Sequence, residues 1–446
     1  MKDLEQLSEA DLIAIIMELR QQVEVLRGEN EELRKENQEL RSRLDGAGKS
    51  SPTWVKPNKA KPKKKERTKR PNAFVRRKEK PTEVVCHAVE NCPDCGRTLT
   101  GGWVHRTRQV IEIPQAPVRI IEHMVLARRC GVCGKRHIPS VDLSRDVVGN
   151  HRVGVGLMSL VAYLHITGRI PLRTIQKLLE MVYGLHLGTG EIVDILHTVA
   201  DKGKTQKEHL LSEIRSSPAV NADETGWRED GDNGYIWSFS TPSVRYLIYN
   251  KSRSGEIPKE VIGDEFMGVV GCDFYAGYNG LLCDKQRCWV HLLRDLHKLK
   301  EAHPDDPRVG SWVDSIQDVY DHAKEFESED SLCRKKKRYA LERELHRLSK
   351  GYAKRDVPQR VLAQRIENFI SELFVFVEYP EAPSENNAAE RAVRPAVIAR
   401  KVSGGTRSPK GSSTKMTLMS LFYTWALRGV NPIAACRQML VAPAPA

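Results

Sequence analysis

Asp223, Asp273 and Glu390 are the side chains of this 446-residue sequence whose types and settings could together handle a phosphodiester. Asp223 follows Ala219-Val220-Asn221-Ala222, and Asp273 follows Met267-Gly268-Val269-Val270-Gly271-Cys272; both runs read as short strands. If these strands lie side by side and parallel, each ends in an Asp at the same edge. Two carboxylates brought together repel unless a cation sits between them. Mg²⁺, a hard ion that takes carboxylate and phosphate oxygens, is the natural occupant. A following helix offers a third acid in Asn386-Asn387-Ala388-Ala389-Glu390-Arg391-Ala392-Val393-Arg394-Pro395, with Arg391 and Arg394 beside Glu390. Each acid taken singly has an ordinary alternative. Asn387 with Glu390 three residues later is a capping-box pattern, and either Asp could simply start a turn.

A second constellation is made of thiols. Cys92-Pro93-Asp94-Cys95-Gly96 and Cys130-Gly131-Val132-Cys133-Gly134 are two Cys-x-x-Cys-Gly knuckles with 34 residues between the inner cysteines. Each knuckle lets two thiolates chelate one ion, and the Gly permits the tight turn that points backbone amides at sulfur. Val110 to Ile113 and Val118 to Leu126 alternate around Pro114 and Pro117 as a hairpin would, so the expectation is a zinc ribbon with one structural Zn²⁺ on Cys92, Cys95, Cys130 and Cys133. Cys86, His87 and His137 are near enough to substitute as ligands.

The elements that must position the acids begin at Pro218. Gly234 to Ser240 and Val244 to Tyr249 should complete an antiparallel meander with the Asp223 strand, turning at Asn233-Gly234 and Thr241-Pro242. A short helix, Ile257 to Ile262, then crosses over to the Asp273 strand. Asp273 and Glu390 lie 117 residues apart, and Trp312 to Phe376 reads as a mostly helical insertion whose charged stretches either follow DNA or are simply solvated. Before the strands, Gly156 to Ile166, Leu172 to Met181 and Glu191 to Ala200 have helical periodicity. They suit either a helix-turn-helix reader or an ordinary helical hairpin.

At the N-terminus, Leu12, Leu19, Leu26, Leu33 and Leu40 recur at seven-residue spacing, with Ile16, Val23, Asn30, Asn37 and Leu44 at the a positions. A parallel dimeric coiled coil follows, with Glu29 and Glu36 at g and Arg34 and Arg41 at e. Lys plus Arg outnumber Asp plus Glu by 71 to 58. The stretch Lys49 to Lys80 holds fourteen of those cations against Glu66 and Glu79, hence nearly all of the +13 excess. Such a segment attracts polyanions by counterion release. No apolar run reaches the roughly 18 residues that span a bilayer, so a membrane partner is not expected. The start Met1-Lys2-Asp3-Leu4-Glu5 carries no signal core, which points to the cytoplasm, in association with the nucleoid. There the ten cysteines should be reduced, as metal ligands or small buried residues.

Taken in order, the zipper, the Cys-x-x-Cys-Gly ribbon, Ala222-Asp223-Glu224-Thr225-Gly226, Ser252-Arg253-Ser254-Gly255-Glu256, Asp273-Phe274-Tyr275-Ala276-Gly277-Tyr278-Asn279, Cys288-Trp289-Val290-His291 and Asn386-Asn387-Ala388-Ala389-Glu390-Arg391 resemble the transposases of bacterial insertion sequences in family 66. The resemblance implies a ribonuclease-H-like catalytic core in which Asp223, Asp273 and Glu390 hold two Mg²⁺ ions, replaceable by Mn²⁺. It implies cleavage and transfer of DNA strands at the element ends. Two departures stand out: Phe274 replaces the usual Gly after Asp273, and Ser384-Glu385 replaces the usual Asp before the Asn pair. Glu385 is thereby a rival third acid, but Glu390 followed directly by Arg391 matches the family. The Cys288-x-x-His291 pair resembles one that supports the core in several transposase families.

The expected chain is therefore multidomain: a leucine-zipper coiled coil (1–46), a basic linker (47–82), a zinc ribbon (83–142), a helical connector (143–215), the first part of an α/β ribonuclease-H-like core (216–299), a helical insertion (300–383) and the rest of the core (384–446). Double-stranded DNA, both element ends and target, is the expected partner of a homodimer. Lys63, Lys64, Lys65 and Arg67 of the linker, with Arg391, Arg394, Arg400 and Lys401, are the expected DNA contacts, the last two beside a phosphate-holding Gly404-Gly405-Thr406-Arg407 loop. The rivals are a non-catalytic DNA-binding regulator, which has no reason to retain the three acids, and a nuclease without strand transfer.

Overall fold

A computed structural model describes residues 80–111 and 118–442, with a few isolated positions before them. The coiled-coil seam and its pairing, and Lys63, Lys64, Lys65 and Arg67, lie outside the described residues. The chain divides into two units, Met1–Glu112 and Ile113–Ala446.

In the first unit the Cys92 knuckle is formed. Gly96 N–H donates to Cys92 O at 2.9 Å, and Cys92 N–H donates to Arg97 O at 2.8 Å. Gly96 takes φ +74°, the left-handed conformation the turn requires. The second unit opens with the same device: Gly134 (φ +68°) donates to Cys130 O at 2.9 Å, and strands β1 (Arg128–Arg129) and β2 (Arg136–His137) pair antiparallel across the knuckle. The longer hairpin expected between the knuckles is not formed as regular strand in residues 101–111 or 118–127. Ile120, Ile121, Met124 and Leu126 are exposed, and a two-stranded ribbon is marginal without a face to bury.

The second unit is built on a five-stranded sheet in the order β5-β4-β3-β6-β7, made of β3 (Ala219–Glu229), β4 (Asp232–Ser240), β5 (Arg245–Asn250), β6 (Val269–Cys272) and β7 (Asp284–Arg287). The first three form the expected antiparallel meander, and β6 and β7 join it parallel to β3. The first hairpin turns at Asp230-Gly231, both at positive φ (53° and 91°), and not at Asn233-Gly234. Gly234 lies inside β4, where a Cβ would sit 2.5 Å from the Tyr249 hydroxyl. That close packing, not a turn, is its use.

β5 is an edge strand whose free amides are taken up by a helix. Ser420 and Thr424 of the Pro409–Leu427 helix accept from Leu247 N–H and Arg245 N–H at 2.9 and 3.0 Å. This blunts an edge that would otherwise template pairing with another chain. One apolar core runs from Met158, Ile192 and Ile195 through Trp237, Phe239 and Leu247 to Phe422 and Met439. The four helices Val155–Ile166, Leu172–Tyr183, Thr189–Lys202 and Lys204–Arg215 therefore share a core with the sheet. A second core gathers Trp289, Leu292, Leu296, Trp312, Tyr320, Leu345 and Phe374. Helix Trp289–Ala302 thus packs with the helical insertion, which consists mainly of helices Pro307–Glu325, Ser331–Ala353 and Arg360–Phe369. Among the described residues no helix is long and apolar enough to cross a membrane.

Candidate active site

Register decides where the two aspartates stand. β3 and β6 pair in parallel as Ala219↔Val269, Val220↔Val270 and Asn221↔Gly271, so Asp223 and Asp273 each lie two residues beyond the same rung. β6 ends there, as expected, but β3 does not. It runs on to Glu229, with Asp223 opposite Ser238 of β4. Asp223 is thus held inside the sheet at the point where its β6 neighbour stops.

Glu390 is brought to this level by a clamp. It sits exposed in the first turn of helix Asn387–Ser403, and Asn386, the residue just before that helix, is buried. The Asn386 amide donates to Ala222 O at 2.7 Å and accepts from Asn221 Nδ2 at 3.0 Å. Its backbone N–H donates to Cys288 Sγ at 3.1 Å. The start of the helix is therefore pinned to β3 directly beside Asp223. Room for the clamp comes from Gly271, where a Cβ would lie 2.7 Å from Asn221 Nδ2. The ordinary alternative for Glu390 does not hold: no side chain caps this helix, and the Glu390 carboxylate faces His291 Nε2 at 3.7 Å. Cys288-x-x-His291 thus acts twice, the thiol on the clamp and the imidazole on the acid.

The electrostatics agree with convergence. The Asp223 carboxyl is pushed up to about 7, first by burial and then by the neighbouring charge of Glu224, with Asp273 and Glu390 adding to it; the Glu224 N–H, donating to Asp223 Oδ1 at 2.9 Å, works against the rise. Glu224 is itself buried between Arg253, which donates to Glu224 Oε1, and Tyr278, whose hydroxyl donates to Oε2 at 2.6 Å. Arg253 also lies 3.9 Å over the Tyr275 ring, and the Tyr275 hydroxyl donates back to Arg253 O. Asp273 Oδ1 accepts from Tyr275 N–H at 2.9 Å, while the fully buried Arg287 donates to Asp273 O at 2.7 Å, to Asn279 Oδ1 at 2.7 Å and to Glu372 at 2.6 Å. The charges of Asp273 and Glu390 are both felt at Asp223. Among the described residues, however, no group of three or more His, Cys, Asp or Glu stands close enough to grip a metal ion without side-chain movement. The rival acid Glu385 lies on the side of Tyr320, whose hydroxyl it helps to hold protonated.

Arg391 and Arg394 are exposed on the Glu390 helix, near the acid. Arg400 and Lys401 lie at its far end, about 15 Å away at 1.5 Å per residue. The glycine loop beyond them is committed to the fold. Thr406 N–H donates to Arg228 O at 2.9 Å, Thr406 O accepts from Asp230 N–H at 2.8 Å, and Thr406 Oγ1 accepts from Trp227 Nε1 at 3.0 Å. Gly405 is there because a Cβ would strike Arg228 O. At the knuckles, the Cys92 and Cys130 thiols are held below the ordinary thiol range, first by backbone N–H groups of Cys95 and Cys133.

The residues missed by sequence reasoning are the supports: Asn221, Asn386, Tyr278 and Arg287. Only the position of Tyr278 and Asn386 inside quoted motifs could have drawn attention to them. Arg287 gives no signal, since a buried cation in a polar strand looks like a surface one.

Three uncharacterized proteins of Sinorhizobium fredii (strain NBRC 101917 / NGR234) are similar to this chain. Protein y4jO is 31% identical over 153 residues, covering 32% of this chain and 44% of that protein. Protein y4qI is 22% identical over 274 residues, 52% of this chain and 49% of that protein. Protein y4jD is 23% identical over 376 residues, 75% and 71%. The chain spans about half the length of the first two. The family model described as Transposase IS66 family matches residues 150–414, which takes in the sheet, the helical insertion and all three acids. This chain belongs to the IS66 family of transposases.

Proposed function

We propose that the chain is a DDE polynucleotidyl transferase that cleaves DNA at insertion-sequence ends and joins the freed ends to target DNA, with Asp223, Asp273 and Glu390 as its metal-holding carboxylates. The observation that carries this reading is the shared β3 and β6 register, which sets the two aspartates at one level, with Asn386 fixing the Glu390 helix to the same strand. The strand order, three antiparallel strands followed by two parallel ones, supports a ribonuclease-H-like core.

The donor set suits Mg²⁺: hard oxygen ligands from three elements, among which Asp223 is raised first by burial and then by neighbouring negative charge, a setting that a divalent cation would relieve. Bound there, two such ions would neutralise charge on the reacting phosphate and make water a better nucleophile. The reaction is two in-line displacements at phosphorus. Water attacks the phosphodiester at the element end and the 3′ oxygen leaves; the freed 3′ hydroxyl then attacks a target phosphodiester, releasing a second 3′ oxygen. Arg287 holds the backbone at Asp273, Arg253 and Tyr278 keep the Glu224 carboxylate occupied beside Asp223, and His291 steadies Glu390. Arg391 and Arg394 bind the DNA backbone next to the acids. A structural Zn²⁺ on Cys92, Cys95, Cys130 and Cys133, dimerisation through the N-terminal heptads and DNA contact by the basic linker complete the reading.

Purified protein, labelled element ends, a target plasmid and Mg²⁺ provide the test. Ends covalently joined to the plasmid are expected, with Mn²⁺ able to substitute and Ca²⁺ supporting binding alone. Cleavage without joining would reduce the protein to a nuclease, and binding without either reaction to a regulator.

A further inference from the structure

We propose that Lys336, Arg343, Arg347 and Lys350 along helix Ser331–Ala353 of the insertion, with Lys354 at its C-cap, form a second DNA-binding surface that tracks the phosphate backbone of a duplex. At 3.6 residues per turn these five positions fall within about 40° of one line along the helix, over a length of about 27 Å. All five are exposed. The buried residues Leu341, Leu345 and Ser349 lie on the opposite side, so the stripe points directly away from the core.

An ordinary solvated helix face mixes charges and pairs them at i,i+4. This stripe does neither. The ion pairs on this helix use other residues: Arg338 with Glu342 and Glu378, and His346 with Glu367. Among the described residues the five cations have no carboxylate within 4.0 Å. Glu344, the exposed acid of the helix, lies about 80° round from the line. Beside the stripe an open groove is lined by Lys336, Tyr339, Glu342, Arg343, His346 and Ile370, with Tyr339 half exposed. A straight, rigid row of this length suits duplex DNA, which carries one phosphate charge per roughly 1.7 Å of axis.

The inference rests on the reading that the chain handles double-stranded DNA, but not on its chemistry. Full-length protein and a variant with all five cations changed to Gln are compared by fluorescence anisotropy on a random-sequence 30-base-pair duplex and a single strand of the same length, over a KCl series. Each phosphate contact contributes about 0.9 to the slope of log affinity against log salt, so the variant's slope on duplex should be shallower by about 4. The slopes are measured without added Mg²⁺, so that no strand chemistry contributes, and failure of this surface is read separately from failure of the catalytic reading, which the end-cleavage assay alone tests. A change below about 1, or a loss confined to the single strand, overturns the proposal. A photo-crosslinking amino acid at Lys350 serves as a second measurement independent of the five-fold variant. Crosslinking to duplex is expected, and its absence also overturns the proposal.

Discussion

Asn386→Ala should loosen the site without touching any of the three acids. The substitution removes two buried hydrogen bonds, to Ala222 O at 2.7 Å and from Asn221 Nδ2 at 3.0 Å, and leaves both partners unsatisfied. A buried donor or acceptor stripped of its partner costs about 1–3 kcal/mol, so the pair amounts to about 2–6 kcal/mol. For a unit of this size that lowers Tm by roughly 4–8 °C. The effect on activity should be larger in proportion. With the clamp gone, the start of the Glu390 helix keeps the Cys288 thiol contact and the packing of Ala389 and Ala392 but loses its polar tie to β3, and a displacement near 1 Å at a reacting centre costs about 100-fold in rate. Thermal denaturation followed by circular dichroism gives the first quantity, and a time course of end cleavage in Mg²⁺ gives the second. Gly271→Ala, which crowds Asn221, should produce a milder version of both effects. An Asn386→Ala protein with Tm within 1 °C of wild type and full cleavage rate would refute the clamp.

Three further outcomes follow from the same geometry. Asp223 titrates near 7 in the folded chain, above its ordinary value of 3.8. The folded state therefore binds the extra proton between about pH 4 and 7, and stability falls as pH rises through that window. Added Mg²⁺ should consequently raise Tm more at pH 8 than at pH 5.5, and Asp223→Asn should abolish that difference. Arg253→Ala removes the counter-charge of the buried Glu224; a loss of about 1–2 kcal/mol, discounted because Arg253 is itself largely exposed, should accompany a cleavage optimum moved to higher pH, with Arg253→Lys restoring part of both. Elemental analysis should find about one Zn per chain, lost in Cys92→Ser and in Cys133→Ser; zinc fully retained in a Cys130→Ser, Cys133→Ser double variant would place the ligands elsewhere.

The strands that carry the acids were readable because their patterns are local. Val269-Val270 before Asp273 and the aromatic run of β4 are short apolar runs, rich in β-branched or aromatic residues and buried almost throughout, which need no distant partner to be recognised. β7 was invisible for the opposite reason: Asp284-Lys285-Gln286-Arg287 is polar throughout, and it becomes a strand only because Gln286 and Arg287 find buried partners on Leu373, Phe376 and Glu372. Two turn dipeptides competed for one hairpin, and Asp230-Gly231 prevailed because β3 extends to Glu229, where it meets Thr406. The helices from Val155 to Arg215 have clear apolar faces, but a face does not name what it packs against, so their shared core with the sheet could not be read from sequence. The clamp joins residues about 165 apart, and its Asn side chains resemble ordinary turn residues.

The proposed function requires three carboxylates, from β3, β6 and the Asn387–Ser403 helix, to act in one chemistry. Its most direct test is end cleavage and strand transfer by Asp223→Asn, Asp273→Asn, Glu390→Gln and, as the comparison, Glu385→Gln. The first three should lose at least 100-fold in both reactions while gel-shift affinity for the ends stays near wild type, and Glu385→Gln should remain active. A Glu390→Gln protein that cleaves at the wild-type rate in Mg²⁺, or full activity in all three, would contradict the account.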